Sequence, residues 1–325
     1  MSARKQRVVV TDSTFPDLEH ERAAALKFGA EFVACQCKTA DEVTAAVDGA
    51  DIALVQFAPL NAQSVERLVA AGGIIRYGIG YDNIDIAAAL RRNLRVGYIP
   101  DYCTAEVADH TAALILASLR KLARLDASVR AGQWSAVAAA QPITPFDATT
   151  IGFLGLGRIG SLVLARLQPF GFRFVVADPQ LSTARAEQLG VELVTAEQLL
   201  ARADVLSLHA PASAETTHII NEPALRSMRS NAVIVNTARG KLIDEAALAR
   251  ALTDGIIGGA ALDVFEEEPL PESSALRSAP NVTFSPHAAW YSDAAIVRLQ
   301  TLAAEDIERL LSGRPPRCPV PGSFQ

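Results

Sequence analysis

Short β-branched runs separated by helical patterns fill the first hundred residues. RVVVT (7–11), EFVAC (31–35), DIALVQ (51–56), IIRYG (74–78) and LRVGY (94–98) read as strands. Between them, segment 18–28 before Gly29, then DEVTAAV, SVERLVAAG and IDIAAALRR, carry apolar residues at helical spacing. Strands alternating with helices of this size predict βαβ units, hence a parallel sheet covered on both faces with right-handed crossovers. Near residue 100 the rhythm changes. AEVADHTAALILASLRKLARLDASVRAG keeps helical periodicity without Gly or Pro until Gly132. The expectation is one long helix, Glu106 to Arg130, that links two domains. It has more apolar surface than one face can use and is suited to packing across a twofold axis in a homodimer. A second α/β series follows in TTIGFLGLG, RFVVADP, ADVLSLHAP, AVIVNTARG, IIGGAALDV and NVTFSPH, with a final helix over 294–312 stopped by Gly313.

A length of 325 residues, half of them hydrophobic, suits two such domains. The net charge is −6 and no Lys/Arg run is present, which argues against nucleic acid as a partner. No apolar run approaches the ~18 residues of a membrane span. The chain enters a strand almost at once, leaving no room for a signal peptide, so a cytoplasmic protein is expected. The cysteines at 35, 37, 103 and 318 include one C-x-C pair without a nearby histidine, which predicts free thiols and no metal site.

IGFLGLGRIG places Gly155, Gly157 and Gly160 as G-x-G-x-x-G, directly after a strand and at the start of a helix. Glycines there permit a tight turn and close approach of backbone to a pyrophosphate, whose charge sits on the helix N-terminus. The next strand ends in Asp178, 23 residues after Gly155, where a carboxylate can accept from ribose hydroxyls. A 2′-phosphate would meet that carboxylate with no adjacent arginine, so NAD rather than NADP is the expected cofactor. Three further strands end in polar side chains: Arg239 after AVIVNTA, Asp263 and Glu268 in LDVFEEEP, and His287 in FSPH. Histidine can exchange a proton near neutrality, a carboxylate on its second nitrogen favours the imidazolium, and an arginine fork can hold a substrate carboxylate. His110 and His20 are expected at the surface or as helix caps, His218 as a loop closure, and Asp82 and Asp85 as helix caps.

At these residues the chain resembles the D-2-hydroxyacid dehydrogenase family. RYGIGYDNIDI, VADHT, GFLGLGRIG, LHAP, NTARGKLIDEAAL, GAALDVFEEEP and SPHAAW stand in the family's order over nearly the whole chain. The resemblance implies catalytic roles for Arg239, Glu268 and His287. It implies a pyrophosphate and ribose site at Gly155, Gly157, Arg158, Ile159, Gly160 and Asp178. His209, Ala210, Thr237, Ala238 and Asp263, with Arg239 and His287, would line the nicotinamide end. Ile79 and Gly80 would offer backbone N–H groups to the substrate carboxylate. The implied architecture is two doubly wound parallel-sheet α/β domains. A flavodoxin-like substrate domain (1–100 and 288–325) and a Rossmann NAD-binding domain (101–287) would hold the active site in the cleft between them. Many members continue after the histidine as PHxGxxT. Here PHAAWYSD, with Arg76 before YGIGYDN, looks like the C-terminal-binding-protein branch, in which Arg76 and Trp290 would contact a 2-keto acid. The implied activity is NAD-dependent interconversion of a 2-keto acid and a D-2-hydroxy acid. A phosphoglycerate or glyoxylate/hydroxypyruvate-type dehydrogenase is an alternative. A peptide-binding, NADH-sensing corepressor scaffold is a second, of a different class. Glu268 stands where formate dehydrogenases carry glutamine.

Overall fold

The computed structural model describes residues 4–70 and 72–323. Residues 1–3, 71, 324 and 325, which the expected substrate domain includes, lie outside them. The chain divides into two compact units. One runs to Cys103 and resumes at Ser292; the other is Thr104–Tyr291.

In the first unit β1 (Arg7–Val10), β2 (Glu31–Ala34), β3 (Ile52–Val55), β4 (Gly73–Arg76) and β5 (Arg95–Tyr98) form a parallel sheet in the order β2-β1-β3-β4-β5. Every residue of β3 and β4 is buried, as a sheet covered on both faces requires. Three of the helices between them begin where short polar side chains take up their first N–H groups. Thr39 forms a capping box with Glu42, Asn61 accepts from the Ser64 N–H, and Asp85 accepts from that of Ala88. The helix Asp293–Leu311 returns to this unit, capped by Ser292, and buries Ala295, Leu299, Ala303 and Ile307. Gln300 of that helix and Tyr77 both donate to the carboxylate of Glu21, at 3.3 and 3.0 Å. Glu21 has no solvent exposure, and burial pushes its carboxyl up to about 7.

The second unit contains β6 (Thr150–Leu154), β7 (Arg173–Ala177), β8 (Glu192–Leu193), β9 (Val205–Leu208), β10 (Val233–Asn236), β11 (Gly259–Leu262) and β12 (Val282–Phe284). These pair in parallel in the order β12-β11-β10-β9-β6-β7-β8. The chain builds outward from β6 in one direction and then, from β9, in the other. The crevice beyond the carboxyl ends of β6 and β9 is therefore the place where such a sheet receives a ligand. The edge strand β8 has two residues, too few for any alternation to reveal it in the sequence.

The long helix expected from Glu106 to Arg130 is broken. It forms Thr104–Leu119 and Leu122–Arg130, with Lys121 left-handed at φ 53° between them. The first piece buries Val107, Ala108, Thr111, Ala112, Leu114 and Ile115, whereas the second buries nothing within the chain. The chain turns where its packing partner ends, and no glycine or proline announces it. Among the described residues no helix is long and apolar enough to cross a membrane.

Candidate active site

The turn after β6 uses its three glycines for three different reasons. Gly155 has φ +85°, and a Cβ there would lie 3.1 Å from the backbone carbonyl of His209. At Gly160 a Cβ would lie 3.1 Å from the Gly155 carbonyl oxygen, so glycine lets the helix Arg158–Leu167 sit against the end of the strand. Nothing lies within 4 Å of a Cβ placed on Gly157, the N-cap of that helix, and no side chain caps the helix. A helix N-terminus without a side-chain cap, with room beside Gly157, makes a cradle that fits a pyrophosphate. Arg158 is exposed beside it, and Ile159 packs against the core. Asp178, past the end of β7, accepts from the N–H of Leu156 at 2.7 Å and that of Gln180 at 2.8 Å. The carboxylate is thereby fixed next to the glycine turn, where it suits ribose hydroxyls and opposes a phosphate. The residues present fit NAD.

His209, past β9, turns its ring inward. It stacks on Phe153 at 5.7 Å, and its Nε2 lies 2.9 Å from the hydroxyl of Ser207. Burial pushes its pKa down to about 4, so the ring is neutral at physiological pH. Ala210 follows, half-buried.

Past β10, the buried side chain of Asn236 folds the next residues into a compact turn. Its amide donates to the Arg239 carbonyl at 2.9 Å and its oxygen accepts from the Ala238 N–H at 3.0 Å. Thr237 bonds Thr111 through their hydroxyls at 2.7 Å. The guanidinium of Arg239 donates to the Ala238 carbonyl at 2.6 Å. Gly240 then packs on the chain past β11: a Cβ there would lie 1.8 Å from the carbonyl carbon of Phe265 and 2.4 Å from the Glu266 nitrogen. Only a hydrogen fits. The loop bearing Arg239 is thus seated on the loop bearing Glu268.

Glu268 accepts from the Phe265 N–H at 2.9 Å with one oxygen and meets Nδ1 of His287 at 2.6 Å with the other. Both side chains are about three-tenths exposed. His287 has φ +51°, and its N–H donates to the Asp263 carbonyl at 2.7 Å. Asp263, expected at the nicotinamide, is fully buried. Its side-chain oxygens accept from the Ser285 hydroxyl and from the N–H groups of Ala288 (2.8 Å) and Ala289 (2.9 Å). It therefore anchors the turn that carries His287.

His110 departs from the expectation of a surface or capping residue. The helix Thr104–Leu119 packs beneath β10 and β11, which brings His110 Nε2 to 3.0 Å from the Ser285 hydroxyl. Nothing in the sequence signals this, because the partners stand 175 positions apart. His218 does close a loop: its N–H donates to the Lys241 carbonyl, and its Nε2 lies 2.7 Å from Glu266.

In the first unit Arg76 is buried, its guanidinium donating to the Tyr77 carbonyl. A Cβ on Gly78, whose φ is +143°, would lie 2.5 Å from that guanidinium, so Arg76 underlies the turn leading to Ile79 and Gly80. Trp290 belongs to the second unit, half-buried and edge-on to Tyr291 at 5.9 Å. Among the described residues no group of three or more His, Cys, Asp or Glu side chains could hold a metal ion.

Residues 112–289 match the family described as D-isomer specific 2-hydroxyacid dehydrogenase, NAD binding domain. The chain belongs to this family. It is an NAD-dependent 2-hydroxyacid dehydrogenase. It is 38% identical over 260 residues to a glyoxylate reductase of Korarchaeum cryptofilum, covering 79% of this chain and 78% of that one. It is 40% identical over 278 residues to a D-3-phosphoglycerate dehydrogenase of Mycobacterium tuberculosis, of which it spans about half the length: 84% of this chain and 51% of that one are covered. The D-lactate dehydrogenase of Aquifex aeolicus, solved with NAD and lactic acid, has a TM-score of 0.84 at 27% identity, covering 94% of this chain and 96% of that one.

Proposed function

We propose that the dehydrogenase reduces a small 2-keto acid reversibly to the D-2-hydroxy acid, with His287 as the general acid. NADH, when bound, supplies the hydride. The observation that carries the assignment is the 2.6 Å contact between Nδ1 of His287 and Glu268. A carboxylate there holds one tautomer and stabilises the imidazolium, so the proton given to the forming alkoxide comes from Nε2. In the reverse direction the neutral ring takes that proton back. Arg239 holds the substrate carboxylate and polarises the adjacent carbonyl. Thr237, Ala238 and the backbone around Ala210 line the nicotinamide end, while Gly155, Gly157, Arg158, Ile159, Gly160 and Asp178 hold pyrophosphate and ribose. In the first unit, the N–H groups of Ile79 and Gly80 receive the substrate carboxylate, with Arg76 adding positive charge beneath their turn. Trp290 covers the substrate side chain, in keeping with the likeness to the C-terminal-binding-protein branch. The names of relatives and of similar solved structures point to glyoxylate, hydroxypyruvate and pyruvate as the first substrates to assay.

The protein acts as a homodimer in this reading. The helix Leu122–Arg130 has no buried residue, and beyond it Trp134 is 90% exposed.

His287→Ala tests the assignment. Its kcat for keto-acid reduction is expected to fall by roughly a thousandfold or more, with NADH binding retained. Turnover near the wild-type rate would remove His287 from the chemistry.

A further inference from the structure

We infer that His110 is a positioning residue for the acid–base histidine, acting through Ser285 and Asp263. The inference rests on the reading of His287 as proton donor.

Proton bookkeeping fixes the direction of the chain. The Ser285 hydroxyl donates to Asp263 Oδ1, and its oxygen lies 3.0 Å from Nε2 of His110. A hydroxyl has one hydrogen. If that hydrogen went to His110, the fully buried Asp263 carboxylate would lose one of the three donors just described. Withdrawing a donor from a buried charge is strongly unfavourable. His110 therefore carries its hydrogen on Nε2 and donates to Ser285, which donates to Asp263, and each bond polarises the next. His110 Nε2 is also 3.7 Å from Asp263 Oδ1.

What this chain holds is a strained turn. His287 occupies the left-handed region at φ +51°, which a non-glycine residue keeps only when its surroundings over-determine it. The Asp263 carbonyl takes the His287 N–H, and its carboxylate takes the two N–H groups that follow. Ser285 fixes the near side of the turn, and His110 fixes Ser285. The adjacent Thr111 bonds Thr237 beside Arg239, so consecutive residues of one helix brace both loops of the site.

Loosening the turn would misplace the His287 ring while leaving the glycine cradle intact, and misplacement of about an ångström can remove up to a hundredfold in rate. The test uses the full-length chain, NADH and the best substrate among glyoxylate, pyruvate and hydroxypyruvate. His110→Ala should lose roughly tenfold to a hundredfold in kcat, with KM and the NADH dissociation constant changed by less than about threefold. His110→Gln, whose amide can still donate to Ser285, should stay within about threefold of wild type. Ser285→Ala should lose at least as much as His110→Ala, because it also withdraws a donor from Asp263, and the double variant should be no worse than Ser285→Ala alone. The inference is overturned if kcat of His110→Ala stays within about twofold of wild type. It is overturned equally if KM rises at constant kcat, if Gln fares as badly as Ala, or if the two losses add. Should His110→Ala fail to fold, His110→Gln and Ser285→Ala decide the matter. His287→Ala separates the two readings: if it stays active, the acid–base assignment falls. If it is inactive while His110→Ala is unaffected, only the present inference falls.

Discussion

Just past a strand end, each sheet carries a buried aspartate that gathers backbone N–H groups from the loop of a neighbouring strand. Asp12, after β1, accepts from Gln56, Phe57 and Ala58, the residues that follow β3. Asp263, after β11, accepts from Ala288 and Ala289, beyond β12. The device is the same, but what it holds is different. In the first unit it folds a loop of backbone, and the turn nearest the expected substrate groups, Gly78–Gly80, has a guanidinium beneath it rather than polar side chains reaching out. In the second unit it holds a turn with an imidazole at its apex, next to loops that carry a glutamate and an arginine. A parallel sheet offers both solutions at its carboxyl edge. Chemistry that moves a proton needs a titratable side chain, whereas recognition of a carboxylate can be left to N–H groups.

The sharpest way to break this contrast is through glycines that approach a neighbour closely in each unit. At Gly240 the neighbour is backbone, that of Phe265 and Glu266; at Gly73 it is the flexible end of Leu310, 2.5 Å from a would-be Cβ. Gly240→Ala must separate the Arg239 loop from the Glu268 loop, and kcat should fall by roughly a hundredfold. Gly73→Ala should lower the unfolding free energy only modestly through overpacking against that flexible side chain, by about 1 kcal/mol, with kcat unchanged. If the Gly240 variant kept its kcat, the seating of one loop on the other would be irrelevant to catalysis.

A smaller effect concerns titration in the first unit. Glu21 is pushed up to about 7 by burial, with the nearby Asp17 adding to the shift and Tyr77 and Gln300 opposing it through hydrogen bonds. A carboxyl raised in the folded state contributes stability fully below its unfolded pKa, and that contribution disappears as pH rises through the folded value. Between about pH 4.5 and 7 the loss amounts to about 3 kcal/mol. Glu21→Gln should remove that slope, as urea unfolding at pH 5 and pH 8 would show. An unchanged slope would mean that Glu21 does not titrate in this window.

The smallest effect is expected at the arm beyond Lys121. Trp134→Ser should weaken self-association without altering the fold, seen as a rightward shift in sedimentation equilibrium at micromolar concentration. A wild-type chain that sediments only at 34.5 kDa would refute the dimer.

The sheets, their order of appearance and the glycine turn were legible in the sequence because period and punctuation are local. TIGFL followed by G-x-G-x-x-G needs no distant information to be read as strand, turn and helix. The Glu268–His287 contact joins residues expected to share a site, and the structure places Arg239 on the neighbouring loop. What could not be read depends on partners far apart in sequence. His110 looks like any polar residue on a helix until Ser285 is beside it. Glu21, one of two acids in the first turn of an unremarkable helix, is buried only because Tyr77 and Gln300 arrive to meet it. The break at Lys121 follows from the end of a packing surface, and such an end leaves no mark on the residue where it occurs.

The return of the helix Asp293–Leu311 to the first unit has a consequence for the order in which the protein can be made. The first sheet emerges from the ribosome without the helix whose Leu299, Ala303 and Ile307 are buried in that unit. Roughly 190 residues of the second unit must be synthesised before that helix appears, which takes on the order of ten to forty seconds. Throughout that interval the apolar face awaiting the helix has no cover from its own chain. The second unit, contiguous in sequence, can fold as soon as Tyr291 has left the ribosome. Folding therefore finishes with the part of the chain that was made first.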